Sequence, residues 1–304
     1  MDGRLNILFL TNFEDPCYQV IPAVSHWMAE LESSVTILHA YERADQREQA
    51  EADIRSFFAE AEHYPDCRRI AMQGRVEDIA AQYCEAGDVD LVVAPADDAL
   101  GLPRWFHRSV RARLMERIAV PLWTVNTRVD ARQTYGPIRR IACHIDFETP
   151  ENEQLKSAAE LARRLGAKLH LIYATPPADE GLLNVGLRCD RPLHQDMAER
   201  RLNSLLRGSY GRPQIHVGTG EEEAVLPELL RRCKADLVFL GPGQALQRGI
   251  WGTPSLGSLL RRVPCPIICM DGAAAKRPPT WRITPRFTSV YEGAAGVLAA
   301  GSRR

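Results

Sequence analysis

The feature that most constrains this chain is an internal repeat, in which four landmarks recur in the same order at nearly constant spacing. The matching pairs are FEDP at 13–16 with FETP at 147–150, VTILHA at 35–40 with KLHLIY at 168–173, DLVVAP at 90–95 with DLVFLGP at 236–242, and RIAVPLW at 117–123 with RVPCPII at 262–268. The offset is 133–134 for the first two pairs and 145–146 for the last two. One unit has therefore been duplicated, with about twelve extra residues in the middle of the second copy.

Each copy alternates short apolar runs, typical of buried strands, with segments of helical periodicity. In the second copy the predicted strands lie at 139–146, 167–173, 213–218, 235–241 and 265–270. Strand–helix alternation predicts a parallel sheet with helices on both faces, and right-handed crossovers make each copy a doubly wound unit. The predicted fold class is therefore α/β, with two Rossmann-like five-stranded parallel sheets. Ligands of such sheets lie beyond the carboxyl ends of the strands, where the winding reverses.

Capping residues predict where the first helix of each copy begins and ends. In the second copy Thr149 suits the N-cap and Pro150 the first helical position, and Gly166 suits the end. In the first copy Asp15 suits the N-cap and Pro16 the first helical position. Pro22 would interrupt that helix, so we expect it to begin late.

The repeat also predicts the domain boundaries: a first domain at 1–130, a second at 136–272 and a C-terminal tail at 273–304. The tail carries several basic residues and Glu292 as its single acid, with abundant Gly and Ala and weak periodicity. This composition predicts a flexible segment, with a contact arm for an acidic partner as the functional alternative. A second segment outside the repeat, Thr175–His194, is expected to be a long loop on the ligand side, acting as a lid or covering the domain interface.

Charge and composition restrict the compartment and the partners. The formal net charge is −1, so nothing indicates general attraction to nucleic acid or to an anionic membrane. No apolar run approaches the ~20 residues that span a bilayer, and the N-terminus enters a strand without a signal-peptide pattern. Eight cysteines are scattered without a CxxC pair, which predicts buried free thiols and a cytoplasmic protein.

The stretch 236–271 reads as a buried strand, a glycine-bearing loop, a helix and a second buried strand. A glycine loop between a strand end and a helix start can offer backbone N–H groups to a phosphate. A tight turn without a ligand explains the same pattern. The loop alone leaves both interpretations open.

The chain resembles a tandem universal stress protein, with two such domains over about residues 4–271. The residues that carry the resemblance are Asp146 at the end of a first strand, the turn VGTGEEEAVLPELL, and the closing segment LLRRVPCPIICM. The resemblance implies the strand order 3-2-1-4-5 and pairing of the halves through their last strands, Pro121–Asn126 and Pro266–Asp271. It also implies that an aspartate ending the first strand contacts adenine. A loop of the form G-x-x-G, nine residues, G-[ST] would hold the ATP phosphates.

The glycine loop departs from that pattern in both copies. In the second copy Gly241 begins the loop, but Gln244 stands where the second glycine belongs and Gly243 is one place early. The later pair, Gly252–Thr253, follows Gly243 after eight residues rather than nine. The candidate binding residues of the second copy are Asp146, Gly241, Gly243, Gly252 and Thr253.

The first copy has lost more of the motif. Asn12 replaces the aspartate, the loop has no G-[ST], and Asp97–Asp98 would repel phosphate. We therefore expect ATP or another adenine nucleotide to bind in the second domain only.

Other chemistry-bearing residues have simpler explanations. A basic cluster near the first loop is either an anion site or a solvated helix face, and it comprises Arg104, His107, Arg108, Arg111 and Arg113. Four histidines lie in strand-like runs, where core or crevice-lining roles are expected: His39, His144, His170 and His216. No catalytic constellation and no metal-ligand spacing is found.

The sequence therefore predicts a cytoplasmic, non-enzymatic stress-response protein with an adenine-nucleotide crevice in its second domain. A ligand-free interaction scaffold and an adenosine-nucleotide-using enzyme of related fold are the alternatives. An intramolecular pseudo-dimer is expected, and a protein partner or a homodimer stays open. No membrane or nucleic-acid partner is indicated.

Overall fold

The computed structural model describes residues 4–59, 66–95, 110–125, 137–145, 147, 153–175, 191–205, 212–241 and 262–270. The strands within these ranges are β1 Leu5–Leu10, β2 Ser33–Tyr41, β3 Cys67–Gln73, β4 Leu91–Val93, β5 Leu122–Thr124, β6 Arg140–His144, β7 Lys168–Thr175, β8 Gln214–Thr219, β9 Leu237–Leu240 and β10 Ile267–Cys269. The α-helices are α1 Asp15–Glu30, α2 Arg47–Ser56, α3 Val76–Glu85, α4 Val110–Arg117, α5 Glu153–Leu165, α6 Arg191–Leu205 and α7 Glu222–Cys233. A short 3-10 helix, Ala44–Gln46, precedes α2.

The ten described strands form one continuous sheet in the order β3-β2-β1-β4-β5-β10-β9-β6-β7-β8. All neighbours are parallel except β5 and β10, which are antiparallel, with Trp123 opposite Ile268. The predicted order 3-2-1-4-5 is confirmed in each half, and so is the pairing of the last strands. The two predicted five-stranded sheets are thus one ten-stranded sheet, because β5 of the first half pairs with β10 of the second half.

Strands β1 and β6 are buried on both faces, as their apolar sequences predict. In β1, Ile7 and Phe9 belong to one core cluster together with the α1 residues Val20 and Trp27. Alternate residues, represented by Leu8, belong to a second cluster on the opposite face of the sheet. The first cluster also contains residues of β6 and α5, so α1 and α5 lie on the same face of the ten-stranded sheet.

The halves repeat not only strands but also individual contacts. In the first half the backbone N–H of Asn6 donates to Asp90 Oδ2 at 2.9 Å. In the second half the backbone N–H of Arg140 donates to Asp236 Oδ2 at 2.8 Å. Each aspartate stands just before the fourth strand of its half and ties it to the first strand. The two halves therefore share this aspartate contact as well as their order of strands.

Helix α1 corrects one sequence expectation. It begins at Asp15 with Glu14 as N-cap, and it continues through Pro22 to Glu30. The expectation that Pro22 delays the helix was wrong. Pro22 and Tyr18, four residues earlier, are both exposed, so the missing hydrogen bond lies on the solvent side of α1 rather than on its buried side.

Helix α5 ends where the sequence predicts. Its last residue is Leu165, and Gly166 follows with φ of +65°, a conformation that favours glycine. The predicted start at Thr149 and Pro150 lies outside the described residues. Leu155, Ala158 and Ala162 are buried, as their spacing predicts.

The long segment after β7 is shorter than the sequence indicates. Thr175 ends β7, and α6 begins at Arg191, so Arg191–His194 are helical rather than part of a loop. Pro192 is the second residue of α6, and a proline in the first turn of a helix costs no internal hydrogen bond. Residues 176–190 and the tail 273–304 lie outside the described ranges, and among the described helices none has the length and apolar character to cross a bilayer.

Candidate functional site

The candidate site lies where β6 and β9 end side by side. These strands are parallel neighbours, with Cys143 opposite Phe239, and the winding of the second half reverses between them. The backbone N–H of Ile145 donates to Ile172 O at 3.0 Å. This bond continues the pairing of β6 with β7 up to the residue just before Asp146. Gly241 follows β9 directly and is buried. The adjacent ends of these two strands form the crevice expected of a doubly wound sheet.

The structure describes one of the five predicted site residues, Gly241. The other four lie outside the described residues: Asp146, Gly243, Gly252 and Thr253. Their roles stay predictions.

Gly241 is in contact with a residue that the sequence analysis missed. A Cβ at Gly241 would lie 2.7 Å from Nε2 and 2.9 Å from Cδ of Gln154, so a larger residue does not fit while Gln154 keeps its position. Gln154 lies in the first turn of α5 and is fully buried. The backbone of Gly241 does not adopt the left-handed conformation that favours glycine. The close approach of an amide explains this glycine instead.

A buried histidine supports the same strand end from the opposite face of the sheet. His144 is 3% exposed, and its Nε2 donates to Glu222 Oε1 at 2.8 Å. Glu222 is the first residue of α7. The expectation that His144 is a core or crevice-lining histidine is confirmed. Its carboxylate partner was missed, because Glu222 is distant in sequence and reaches His144 only through the packing of α7.

Phe147, one residue after Asp146, is held by an aromatic ring and a cation. Its ring packs edge-on against Tyr173 with centroids 4.6 Å apart, and the guanidinium of Arg201 lies 4.2 Å from its centroid. The first half repeats the aromatic part of this arrangement, with Phe13 packed 4.3 Å from His39. The chain that leaves the first strand is therefore anchored on the second strand in both halves.

Asn12, the first-half counterpart of Asp146, is engaged within its own turn. Its Oδ1 accepts a hydrogen bond from the backbone N–H of Glu14 at 3.2 Å and from Cys17 Sγ at 3.1 Å. Both bonds hold the turn between β1 and α1. The side-chain oxygen of Asn12 thus stabilises the turn between β1 and α1, rather than offering an acceptor to a ligand.

The basic cluster is partly explained by internal contacts. Arg113 pairs with the buried Glu77 on α3, with Nε and Oε1 2.9 Å apart, and Arg111 Nη1 donates to Thr124 Oγ1 at 3.3 Å. Neither side chain belongs to a simple solvated face. Arg104, His107 and Arg108 lie outside the described residues.

Burial makes several of the described cysteines poor nucleophiles. The seven described cysteines are free, and Cys189 lies outside the described ranges. Burial raises the pKa of the Cys143 and Cys265 thiols, and raises that of Cys84 to about 12. These thiols stay protonated at neutral pH, and the thiolate is the reactive form. Within the described part of the chain, no three His, Cys, Asp or Glu side chains are grouped to hold a metal ion.

A cavity of about 340 Å³ lies away from this crevice, between the C-terminal ends of α1 and α5. Its apolar wall includes two matched pairs from the repeat, Trp27 with Leu161 and Leu31 with Leu165. Gly241, the one predicted site residue that the structure describes, does not line it. It is a feature of the contact between the halves.

A histidine pair joins β7 and β8, the two outermost strands of the second half. His170 Nδ1 and His216 Nε2 lie 3.0 Å apart, and His170 is 4% exposed. Burial, the neighbouring His216 and the positive charges of Arg140 and Lys168 lower the pKa of His170 to about 4. Burial and Arg232 also lower the pKa of His216. Both rings are therefore neutral in the folded protein at neutral pH.

We expect this pair to make stability fall as the solution is acidified. In the unfolded chain a histidine has a pKa of about 6.5, so the unfolded state binds more protons than the folded state below that pH. The contribution of His170 is complete above about pH 6.5 and is lost progressively towards pH 4, by at most about 3 kcal/mol. Urea unfolding between pH 4 and pH 7 measures this loss.

The matched comparison is His170→Leu with His26→Gln, a change at a partly exposed histidine of α1. His170→Leu should flatten the pH dependence, whereas His26→Gln should leave it unchanged. Equal slopes in all three proteins would contradict the assignment.

Residues 137–270 match the model of the Universal stress protein family. No curated protein sequence matches the chain. Two similar solved structures are a universal stress protein from Archaeoglobus fulgidus DSM 4304 and a protein of unknown function from Pseudomonas aeruginosa PAO1.

The Archaeoglobus structure is 12% identical, with a TM-score of 0.59, and the match covers 88% of this chain and 96% of that one. The Pseudomonas structure is 15% identical, with a TM-score of 0.58, covering 90% of this chain and 94% of that one. At such identities the likeness concerns the fold alone. The second half thus carries a universal stress protein domain, and the fold of both structures extends over the first half as well.

Proposed function

We propose that this chain is a cytoplasmic, non-enzymatic stress-response protein made of two universal stress protein domains, which binds one adenine nucleotide in the crevice of its second half. The observation that carries the proposal is the pair of adjacent strand ends, β6 and β9, within the segment that matches the family model. Asp146 follows the first of these strands in sequence, and Gly241 follows the second. A carboxylate can accept from an adenine amino group or a ribose hydroxyl, and loop N–H groups can donate to phosphate.

The asymmetry between the halves supports a single site per chain. Asn12 uses its side-chain oxygen within its own turn. Asp97–Asp98 in the first loop oppose an anion, whereas the second loop keeps Gly241, Gly243 and Gly252. The first half therefore serves mainly to complete the joint between β5 and β10.

Calorimetry with ATP should give one site per chain. At about one hundred times Kd, bound ATP should stabilise the protein by roughly 2.7 kcal/mol, since it binds the folded state only. Asp146→Ala should remove most of this stabilisation, and the matched variant Asn12→Ala should keep it. Mass spectrometry of small molecules released from the purified protein tests the same proposal without added ligand.

Two sites per chain, or unchanged ATP binding by Asp146→Ala, would overturn the proposal. A ligand-free scaffold is the second candidate, favoured by the contact between Gly241 and Gln154, which gives the glycine a reason unrelated to phosphate. Under that alternative ATP shifts nothing in the wild type, and Asp146→Ala lowers basal stability by weakening the turn. Conversion of ATP to ADP or AMP would instead indicate an enzyme.

A further inference from the structure

The side-chain amide of Gln154 is fully buried, yet neither of its polar atoms has a hydrogen-bond partner among the residues that the structure describes. The amide lies over Gly241, with Nε2, Cδ and Oε1 at 2.7, 2.9 and 3.4 Å from the position that a Cβ would occupy there. Gly241 is the point at which the chain leaves β9 for the predicted binding loop. The unpartnered amide therefore lies against the end of β9, at the edge of the sheet where the crevice is predicted.

The matched position in the first half is apolar. The repeat aligns Gln154 with Val20 and Gly241 with Pro95. Val20 is fully buried and packs in the core beneath α1. The fold accepts an aliphatic side chain at this position, so packing alone does not require an amide in the second half.

A buried amide without partners destabilises the protein relative to an apolar side chain of the same shape. Such groups are normally satisfied by protein, by ordered water or by a ligand. An amide offers an acceptor oxygen and a donor NH₂ side by side. A phosphate oxygen is an acceptor, so phosphate would satisfy Nε2 and leave Oε1 unpaired. A nucleoside presents donors and acceptors together and can satisfy both atoms.

We propose that Gln154 is a specificity-determining residue of the crevice and that its amide hydrogen-bonds the nucleoside part of the ligand rather than the phosphates. This assignment rests on the proposed function. It adds a contact from α5, whereas the predicted contacts come from the strand end and the glycine loop. It also makes the second half selective for a neutral, hydrogen-bonding group beside the phosphate subsite.

The test compares Gln154→Met with wild type, using adenosine, ATP and inorganic triphosphate as ligands in calorimetry. Met keeps the length of the side chain and removes both hydrogen-bonding atoms. Adenosine and ATP should each bind about tenfold more weakly to the variant, while inorganic triphosphate should bind equally to both proteins. The matched control, Gln214→Met at an exposed glutamine of β8, should change none of the three affinities.

The melting temperature of the ligand-free protein provides a second readout. Gln154→Met should raise it, because two unpaired buried polar atoms are removed. A lower melting temperature with unchanged ATP affinity would show a structural amide and overturn the assignment. Equal weakening of all three ligands would place the contact on phosphate and overturn it as well. If wild type binds none of the ligands, the proposed function itself fails, and the assignment fails with it.

Discussion

Expressed separately, residues 1–130 and 136–272 are expected to self-associate or aggregate instead of remaining soluble monomers. β5 and β10 are each other's neighbours in the sheet, and their residues Leu122–Thr124 and Ile267–Cys269 are buried. Either half alone exposes one of these strands as an unpaired apolar edge, which invites pairing with another chain. Size-exclusion chromatography with light scattering measures the result directly.

The control is the intact protein carrying a protease site between 126 and 136, cut after folding. Its two fragments should stay together as one particle of unchanged mass, because the strand pairing does not need the covalent link. Mixing the separate halves should likewise give a heterodimer at the expense of the self-associated forms. Two stable monomers that do not bind each other would show that β5 and β10 do not hold the halves together.

Arg113→Met is expected to destabilise the protein by about 3 kcal/mol, the effect of removing one partner from a buried ion pair. Glu77 is 1% exposed and accepts from Arg113 Nε at 2.9 Å, with Arg75 as its second cation. Burial alone would raise the pKa of Glu77. A hydrogen bond from its own backbone N–H and the two arginines outweigh burial and hold the pKa below its ordinary value. Without Arg113, the buried carboxylate keeps its own backbone N–H and a single cation, the half-exposed Arg75.

The neighbouring pair supplies a matched control. Arg117, one turn further along α4, pairs with Asp78 on α3, and both side chains are substantially exposed. Arg117→Met should therefore cost less than about 1 kcal/mol in urea unfolding. The double variant Arg113→Met with Glu77→Met should regain most of the stability lost in the single variant. Equal effects at 113 and 117 would refute a special role for the buried pair.

The strand positions could be predicted because apolar periodicity is a local signal. Strands β6 to β10 lie within a few residues of their predicted bounds. The start of α1 was misjudged because the cost of Pro22 depends on whether its turn faces water, which the sequence does not state. The role of Arg113 was missed for a related reason. Its partner Glu77 is distant in sequence, and an arginine in a basic run resembles a solvated charge until that partner is known.

The location of the candidate site could be predicted from the sequence, but the side chains that surround it could not. Position at strand ends, together with the resemblance, pointed to Asp146 and Gly241. Gln154 was not found, because a single glutamine in an amphipathic helix gives no signal that distinguishes it from a surface residue. Its importance appears only when α5 brings it onto Gly241. His144 and Glu222 are likewise separated in sequence and meet only through the packing of α7.

The antiparallel joint between β5 and β10 has a consequence for how this molecule can vary. In a dimer of identical chains joined through the same strand, every substitution appears on both sides of the axis. Here the two sides are encoded separately, so a residue can change on one side while its counterpart is kept. Asn12 can be committed to its own turn while an aspartate remains at 146, and Val20 can fill the core where Gln154 carries an amide. A single polypeptide thus combines a stable antiparallel interface between its halves with the freedom of each half to change its residues independently.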